Sequence, residues 1–249
     1  MEDLGGEVDM IVGYSGKALG VAGGVHWRTV FFVRSPRPYV VLCDRVTAVA
    51  GDDDKDRVMH VALHPATDKI TQVGPGGDGS GATKETSSCS RYVCDFGDED
   101  FLSILTNSCP ISVETRMGGL SQFQRPTPYL HAQYRGMRAV TLLQPHRGRE
   151  NGPRVLCRAG ADHYRDILEV DVSSIVGGMV ERTIKDVFLT SAEDNSISQS
   201  LVSGSMTVGA QAAMLRIANV GEQEERVLLA VAERCRRLMG PAFAVEFCA

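Results

Sequence analysis

The sequence lacks the local features of a membrane-spanning or exported chain. No apolar run approaches the ~18 residues that a membrane-crossing helix requires. The first residues, Met1–Glu7, contain neither the basic region nor the apolar stretch of a signal peptide. We therefore expect no membrane contact and no export signal within this chain.

Cysteine and histidine are too few and too scattered to predict a disulfide framework or a metal centre. The seven cysteines form no CxxC pair, and their odd number disfavours a stapled secreted domain. The six histidines are dispersed, and none lies near a cysteine at zinc-finger spacing. We predict free thiols, which suit a reducing compartment, and neither a metal nor another cofactor.

Aromatic residues are also scarce, at 6% of the chain, and the net charge is −5. With no recognisable binding motif, this composition argues against a nucleic-acid partner. Positive charge is instead concentrated in residues 116–165, which hold nine arginines, two acidic residues and no lysine.

Arginine's planar fork binds carboxylate and sulfate groups through paired hydrogen bonds. The arginine-rich stretch therefore suggests a face for an acidic polysaccharide, with Arg147, Arg149 and Arg154 as candidate substrate-binding residues. The alternative is that these arginines lie on solvated strand faces that point in several directions.

The chain is rich in short apolar runs separated by turn residues. It contains 26 glycines and 10 prolines in all. Runs of four to eight apolar or alternating residues are typical of strands. The pattern predicts a single, mostly β domain over residues 1–249, built as an antiparallel β-sandwich or as layered β-sheets. The predicted strands lie near Thr29–Arg34, Tyr39–Val46, Val58–His64, Ser90–Phe96, Phe101–Leu105, Ile111–Met117, Arg138–Leu143, Val155–Ala159, Ile167–Val172, Met179–Ile184 and Val187–Thr190.

The segment Glu222–Met239 has a different pattern. Its apolar residues fall at helical spacing, Glu222–Arg226 and Glu233–Arg237 are i,i+4 pairs, and Gly240-Pro241 is a good stop. Local physics therefore predicts one C-terminal amphipathic helix.

Two stretches carry an ordered set of motifs. Val25–Val46 reads VHWRTVFFVRSPRPYVVLCDRV, which is strand, Pro-rich turn, strand, and Val58–Gly79 reads VMHVALHPATDKITQVGPGGDG. In order, the motifs are an Arg-led aromatic strand, Tyr-Val-Val-x-x-Asp-Arg-Val, Leu-His-Pro and a glycine-rich turn. This order resembles the C-terminal β-sheet domain of heparinase II/III-like polysaccharide lyases. This likeness also implies strands, rather than a helix, at Glu222–Met239.

The resemblance implies a partner as well as a fold. Such lyases join an N-terminal α/α toroid, which supplies a catalytic Asn and Tyr, to β-sheets that supply a His-rich segment. Met1–Gly24 contains no histidine, so no functional residue of the family can be placed on a numbered position here. We therefore expect a domain that does not cleave acidic polysaccharides on its own, because its toroid is missing. A non-catalytic carbohydrate-binding or structural β module is the alternative.

Histidines are the remaining candidates for chemistry. His60 and His64 share one face of a predicted strand but lie ~13 Å apart at ~3.3 Å per residue, so they cannot share one ion. A cluster of His131, Tyr134, His163 and Tyr164 is a candidate source of the general base that elimination from a uronic acid requires.

Overall fold

A computed structural model describes most of the chain. The described residues are 8–15, 25–35, 37–47, 58–65, 67–73, 90–106, 110–119, 126–135, 138–148, 154–156, 165–176, 179–191, 196–201, 204–210, 212–220, 224–232, 237–240 and 243–246. Within these ranges every regular element is a strand, and the strands pair antiparallel in four sheets. The predicted mostly β, layered antiparallel fold is confirmed.

The largest sheet, called the central sheet, has seven strands in the order β1-β2-β3-β10-β7-β6-β5. Its strands are β1 (Val8–Ser15), β2 (Val25–Val33), β3 (Tyr39–Thr47), β5 (Ile70–Val73), β6 (Ser90–Gly97), β7 (Asp100–Thr106) and β10 (Arg138–Arg147).

The other three sheets have three, five and four strands. The three-stranded sheet, in the order β4-β9-β8, consists of β4 (Val58–Leu63), β8 (Pro110–Gly119) and β9 (Pro126–Arg135). The five-stranded sheet, in the order β11-β12-β13-β16-β17, consists of β11 (Arg154–Leu156), β12 (Arg165–Val176), β13 (Met179–Ser191), β16 (Ala212–Val220) and β17 (Glu224–Ala232). The four-stranded sheet, in the order β14-β15-β18-β19, consists of β14 (Ser196–Leu201), β15 (Gly204–Gly209), β18 (Arg237–Gly240) and β19 (Phe243–Glu246).

The central sheet is the middle of three layers. On one face Phe31 and Val41 belong to a buried core shared with Leu168 and Phe188 of the five-stranded sheet. The Phe31 and Phe188 rings lie 5.5 Å apart between centroids. The opposite face packs on the three-stranded sheet through a second core, which includes Val46, Met59, Val61, Ala132, Tyr134 and Ala139.

This layering explains the unbroken apolar run of β3. A strand covered on one face alternates apolar and polar residues, whereas a strand covered on both faces does not need to. Val41 is fully buried, Leu42 is 8% exposed, and β3 pairs with β2 from Tyr39 opposite Val33. The strands predicted near Thr29–Arg34 and Tyr39–Val46 are confirmed, and they are neighbours in the core of the central sheet.

A buried ion pair joins the central and five-stranded sheets. Arg216 of β16 donates two hydrogen bonds of 2.8 Å to the Asp186 carboxylate of β13 and a third, also 2.8 Å, to the Ser35 carbonyl oxygen. The Tyr39 hydroxyl donates to the same carboxylate. Burial, together with the Asp186 charge, raises the pKa of Tyr39 well above its ordinary value. Two layers are therefore fixed in register by one polar cluster.

The predicted helix at Glu222–Met239 is wrong. Within the described part of this segment the chain forms strands, Glu224–Ala232 and Arg237–Gly240. β17 pairs with β16 along its whole length, from Ala212 opposite Ala232 to Val220 opposite Glu224. A full-length hairpin partner outweighs the weak local preference for helix.

A predicted break between two strands is also wrong. The strands predicted at Met179–Ile184 and Val187–Thr190 are one continuous strand, Met179–Ser191. Asp186, between the two predicted strands, is fully buried inside this strand and paired with Arg216.

Candidate functional site

The outer face of the three-stranded sheet carries a group of contacting polar and aromatic side chains. In β4, Met59 and Val61 are buried toward the central sheet, so the alternate residue His60 faces outward. We call the outward-facing set the imidazole face; it consists of His60, His64, Glu114, Arg116, Tyr129 and His131.

Two histidines on this face are in direct contact. His60 Nδ1 lies 3.0 Å from His131 Nε2, and the rings are stacked at an interplanar angle of 24°. The register places Ala62 opposite His131, so His60 is its diagonal neighbour across the β4–β9 ladder. His60 is exposed, whereas His131 is 8% exposed.

Glu114 and Arg116 of β8 complete the polar half of the face. Glu114 lies directly opposite His131, and its Oε1 is 3.5 Å from His131 Nδ1, which is too long for a hydrogen bond but close enough for a charge interaction. Arg116 donates a hydrogen bond to Glu114. That bond lowers the pKa of Glu114 and raises the pKa of Arg116, so both groups are held in their charged forms.

Tyr129 forms the aromatic half of the face. Its ring stacks on His64, with centroids 5.0 Å apart, and meets His131 edge-on at 6.3 Å. A Cβ at Gly118 would lie 2.8 Å from Cε1 of Tyr129. Glycine at this position therefore lets the tyrosine ring lie close against the sheet.

The imidazole face combines an apolar ring surface with hydrogen-bond donors. An aromatic ring beside imidazoles offers an apolar surface with polar edges. Glu114 engages one nitrogen of the Arg116 guanidinium, and the group has five N–H donors, so donors remain for a carboxylate or sulfate.

Of the histidine cluster predicted from the sequence, the structure describes His131 and Tyr134, and these two lie on opposite faces of β9. His131 lies on the outer face of β9, whereas Tyr134, three residues later, points into the core and is 1% exposed. His163 and Tyr164 lie outside the described residues. As the strand spacing predicts, His60 and His64 have different neighbours. The contact of His60 with His131 was not predicted from the sequence.

The candidate substrate-binding arginines are placed only in part. Arg147 ends β10, its side chain is 84% exposed, and its Nε lies 3.1 Å from Asp100 Oδ1. Arg149 lies outside the described residues. Arg154 begins β11, opposite Asp171. Arg116, from the same stretch of sequence, belongs to a different sheet from Arg147.

A groove of about 470 Å³ adjoins Arg147 and is lined by Phe96, Phe101 and His146. His146 donates from Nδ1 to the Gly148 carbonyl oxygen at 2.8 Å, so its Nε2 accepts from the Ser103 hydroxyl at 2.9 Å. This serine–histidine contact has the spacing of a hydrolytic dyad. Because Ser103 is 0% exposed, its oxygen has no access to a substrate, and the contact is structural.

The Asp-Arg of Tyr-Val-Val-x-x-Asp-Arg-Val also has a structural role. Asp44 is fully buried and accepts hydrogen bonds from His26 Nε2 at 2.7 Å and from Arg28 at 2.7 and 3.0 Å. Arg45, on the other face of β3, lies with its guanidinium carbon 5.8 Å from the centre of the Trp27 ring. These motif residues therefore fix β2 against β3.

Comparison with known proteins found no match among protein-family models, curated proteins or solved structures. Across the described ranges, no three His, Cys, Asp or Glu side chains converge as a metal-binding group. The same part of the chain contains no helix of the length and apolarity needed to cross a membrane.

Proposed function

We propose that this chain is a β-sheet module that binds anionic polysaccharide, of the kind that forms the C-terminal part of heparinase II/III-like lyases. The observation that carries the proposal is the imidazole face, where Tyr129, His64 and Arg116 share one surface. The ordered motifs of Val25–Val46 and Val58–Gly79 support the same class of protein.

In this proposal the sugar chain lies across the outer face of the three-stranded sheet. Tyr129 contacts the apolar side of a sugar ring, and Arg116 binds a carboxylate or sulfate on the ring beside it. The arginine stretch, with Arg147, Arg149 and Arg154, provides further contacts for a long polyanion. A separate α/α toroid domain is the proposed partner that completes a lyase.

We expect Arg116→Ala to weaken binding of heparin or alginate roughly tenfold, because a charge-assisted hydrogen bond contributes about 1.5 kcal/mol or more. Tyr129→Ala should have a similar effect through lost ring contact. Calorimetric titration at low and high salt is the measurement, with uncharged dextran as a ligand that should not bind. Affinity should fall steeply with salt because the Debye length shrinks from ~10 Å at 0.1 M to ~3 Å at 1 M.

Two matched control variants are available on the central sheet. Arg34 has a side chain 53% exposed with one carboxylate partner, Asp9, much as Arg116 is 44% exposed and paired with Glu114. Tyr14 is 74% exposed and its ring lies 5.1 Å from that of Trp27, tilted by 36°. Arg34→Ala and Tyr14→Ala should leave affinity unchanged. Equal losses in test and control variants, or binding that ignores salt, would count against the proposal.

The arginine stretch is tested by the combined change of Arg147, Arg149 and Arg154 to alanine in the same titration. Binding of long heparin chains should weaken more than binding of a short oligosaccharide that covers only the imidazole face. Full affinity of the triple variant for long chains would remove these three residues from the proposed surface.

A further inference from the structure

We propose that His60 and His131 form a two-nitrogen site for a divalent transition-metal ion, with Glu114 as the residue that orients His131. Nothing in the polysaccharide proposal requires this site, and it departs from the sequence-based prediction of no metal, which considered only spacings along the chain. It rests on the pairing of β4 with β9 and of β9 with β8, which places ring nitrogens of His60 and His131 opposite each other on an accessible surface and Glu114 beside His131.

The distance between the facing nitrogens suits a shared ion. His60 Nδ1 and His131 Nε2 are 3.0 Å apart. Two ligands each about 2.1 Å from one ion and at a right angle are about 3.0 Å apart, as in the tetragonal or octahedral sites that Cu²⁺ and Ni²⁺ prefer. A tetrahedral Zn²⁺ site would require about 3.3–3.4 Å, so the two rings would have to open slightly.

The surroundings of His131 favour the tautomer that has its lone pair on Nε2, the nitrogen that faces His60. Metal-bound histidines commonly direct their other ring nitrogen at a carboxylate, which fixes the tautomer. Here the Glu114 carboxylate lies 3.5 Å from His131 Nδ1, and that nitrogen is buried without a hydrogen-bond partner. A proton on Nδ1 therefore faces the negative charge, and Nε2 presents its lone pair toward His60.

His60 then supplies the second ligand after a shift of tautomer. With that tautomer of His131, Nδ1 of His60 is the donor in the 3.0 Å contact when no metal is bound. Metal binding at Nδ1 requires that proton to move to Nε2 of the same ring, and water can carry it because His60 is exposed. Water completes the coordination sphere, since no third protein ligand converges on the site within the described residues.

The test is calorimetric titration of the chelator-stripped full chain with NiCl₂, CuCl₂ and ZnCl₂, without polysaccharide. We expect one ion per chain with micromolar affinity, tighter for Cu²⁺ and Ni²⁺ than for Zn²⁺. His60→Ala and His131→Gln should each weaken binding by tenfold or more, and Glu114→Gln should weaken it less. His64→Ala is the matched control, because His64 is an exposed histidine on the same face that stacks on Tyr129 instead.

His60 is exposed, so its replacement leaves the core intact, and an unchanged unfolding midpoint would verify this. The proposal is overturned if the wild-type chain takes up no ion at millimolar concentration. It is equally overturned if His64→Ala loses as much affinity as His60→Ala, or if His131→Gln binds as tightly as the wild type. Because no sugar is present, these outcomes are separate from failure of polysaccharide binding.

Discussion

Replacing Arg216 with methionine should lower the free energy of unfolding by about 3–5 kcal/mol, because it leaves the Asp186 carboxylate charged in the core. Arg216 is 1% exposed and Asp186 is fully buried, so water cannot replace the two lost hydrogen bonds. The Ser35 carbonyl oxygen loses its guanidinium donor as well. Urea unfolding of the wild-type and variant chains measures the difference.

The double variant Asp186→Leu with Arg216→Met is the informative control. Replacing both charges with apolar groups of similar size removes the unpaired charge, so this chain should recover much of the lost stability. Tyr39→Phe should cost about 1.5 kcal/mol or more, because it removes one hydrogen bond to a charged carboxylate and keeps the ring. A loss below about 1 kcal/mol for Arg216→Met alone would show that the cluster does not hold the layers together.

Asp44→Asn should lower the free energy of unfolding by about 2–3 kcal/mol at neutral pH, because hydrogen bonds to a charged group contribute more than neutral ones. The estimate is below that for Arg216 because the His26 and Arg28 side chains are 28% and 38% exposed. Burial alone would raise the pKa of the Asp44 carboxyl, but hydrogen bonds from His26 and Arg28 outweigh it, so the pKa is lowered.

The sign of the pH dependence follows from that direction. A carboxyl whose pKa is depressed in the folded protein stabilises the fold at pH values above its ordinary pKa, about 3.9. The contribution is lost as the pH falls through the lower, folded value. The stability difference between wild type and Asp44→Asn should therefore shrink as the pH falls below about 4. A difference that stays the same down to pH 2 would contradict the assignment.

The fold was largely predictable from the sequence because burial on both faces leaves a local signature. The run Tyr39–Val46 is apolar almost throughout, and such a run requires cover on both sides. The error at Glu222–Met239 arose because helical spacing and strand alternation overlap in a short amphipathic segment. Only the pairing with β16, which local spacing does not reveal, distinguishes the two.

The candidate site was much less predictable, since it depends on register between strands. His60 and His131 are separated by 71 positions and meet only because β4 and β9 pair with Ala62 opposite His131. β9 was not predicted as a strand, and prolines at positions 126 and 128 obscure its start. Without that strand, His131 could be grouped only with its neighbours in sequence, such as Tyr134, which points to the other face.

The roles of Asp44 and Asp186 were similarly hidden. Both are acidic residues within or beside apolar runs, and a sequence pattern alone suggests strand ends or turns at such positions. Their partners, Arg28 and Arg216, come from neighbouring strands. A buried charged residue can be recognised only when the position of its oppositely charged partner is known, and the sequence alone does not give that position.

We propose that this chain binds anionic polysaccharide and does not cleave it alone. Elimination requires a carboxylate neutraliser, a base and an acid held in a water-excluding site, and misplacement by about 1 Å can cost ~100-fold. On the imidazole face Arg116 can meet a carboxylate, but His131 Nε2 is engaged by His60 and the sheet surface is open to water.

The most direct measurement is incubation of the purified chain with heparin, heparan sulfate, alginate and hyaluronan. Binding and the absorbance of unsaturated uronic products are recorded in the same samples. We predict salt-sensitive binding to at least one of these polymers, with no product above the buffer rate. Turnover that disappears in His131→Ala would contradict the account, because the active site would then lie within this chain. Absence of binding to every polymer would contradict it as well.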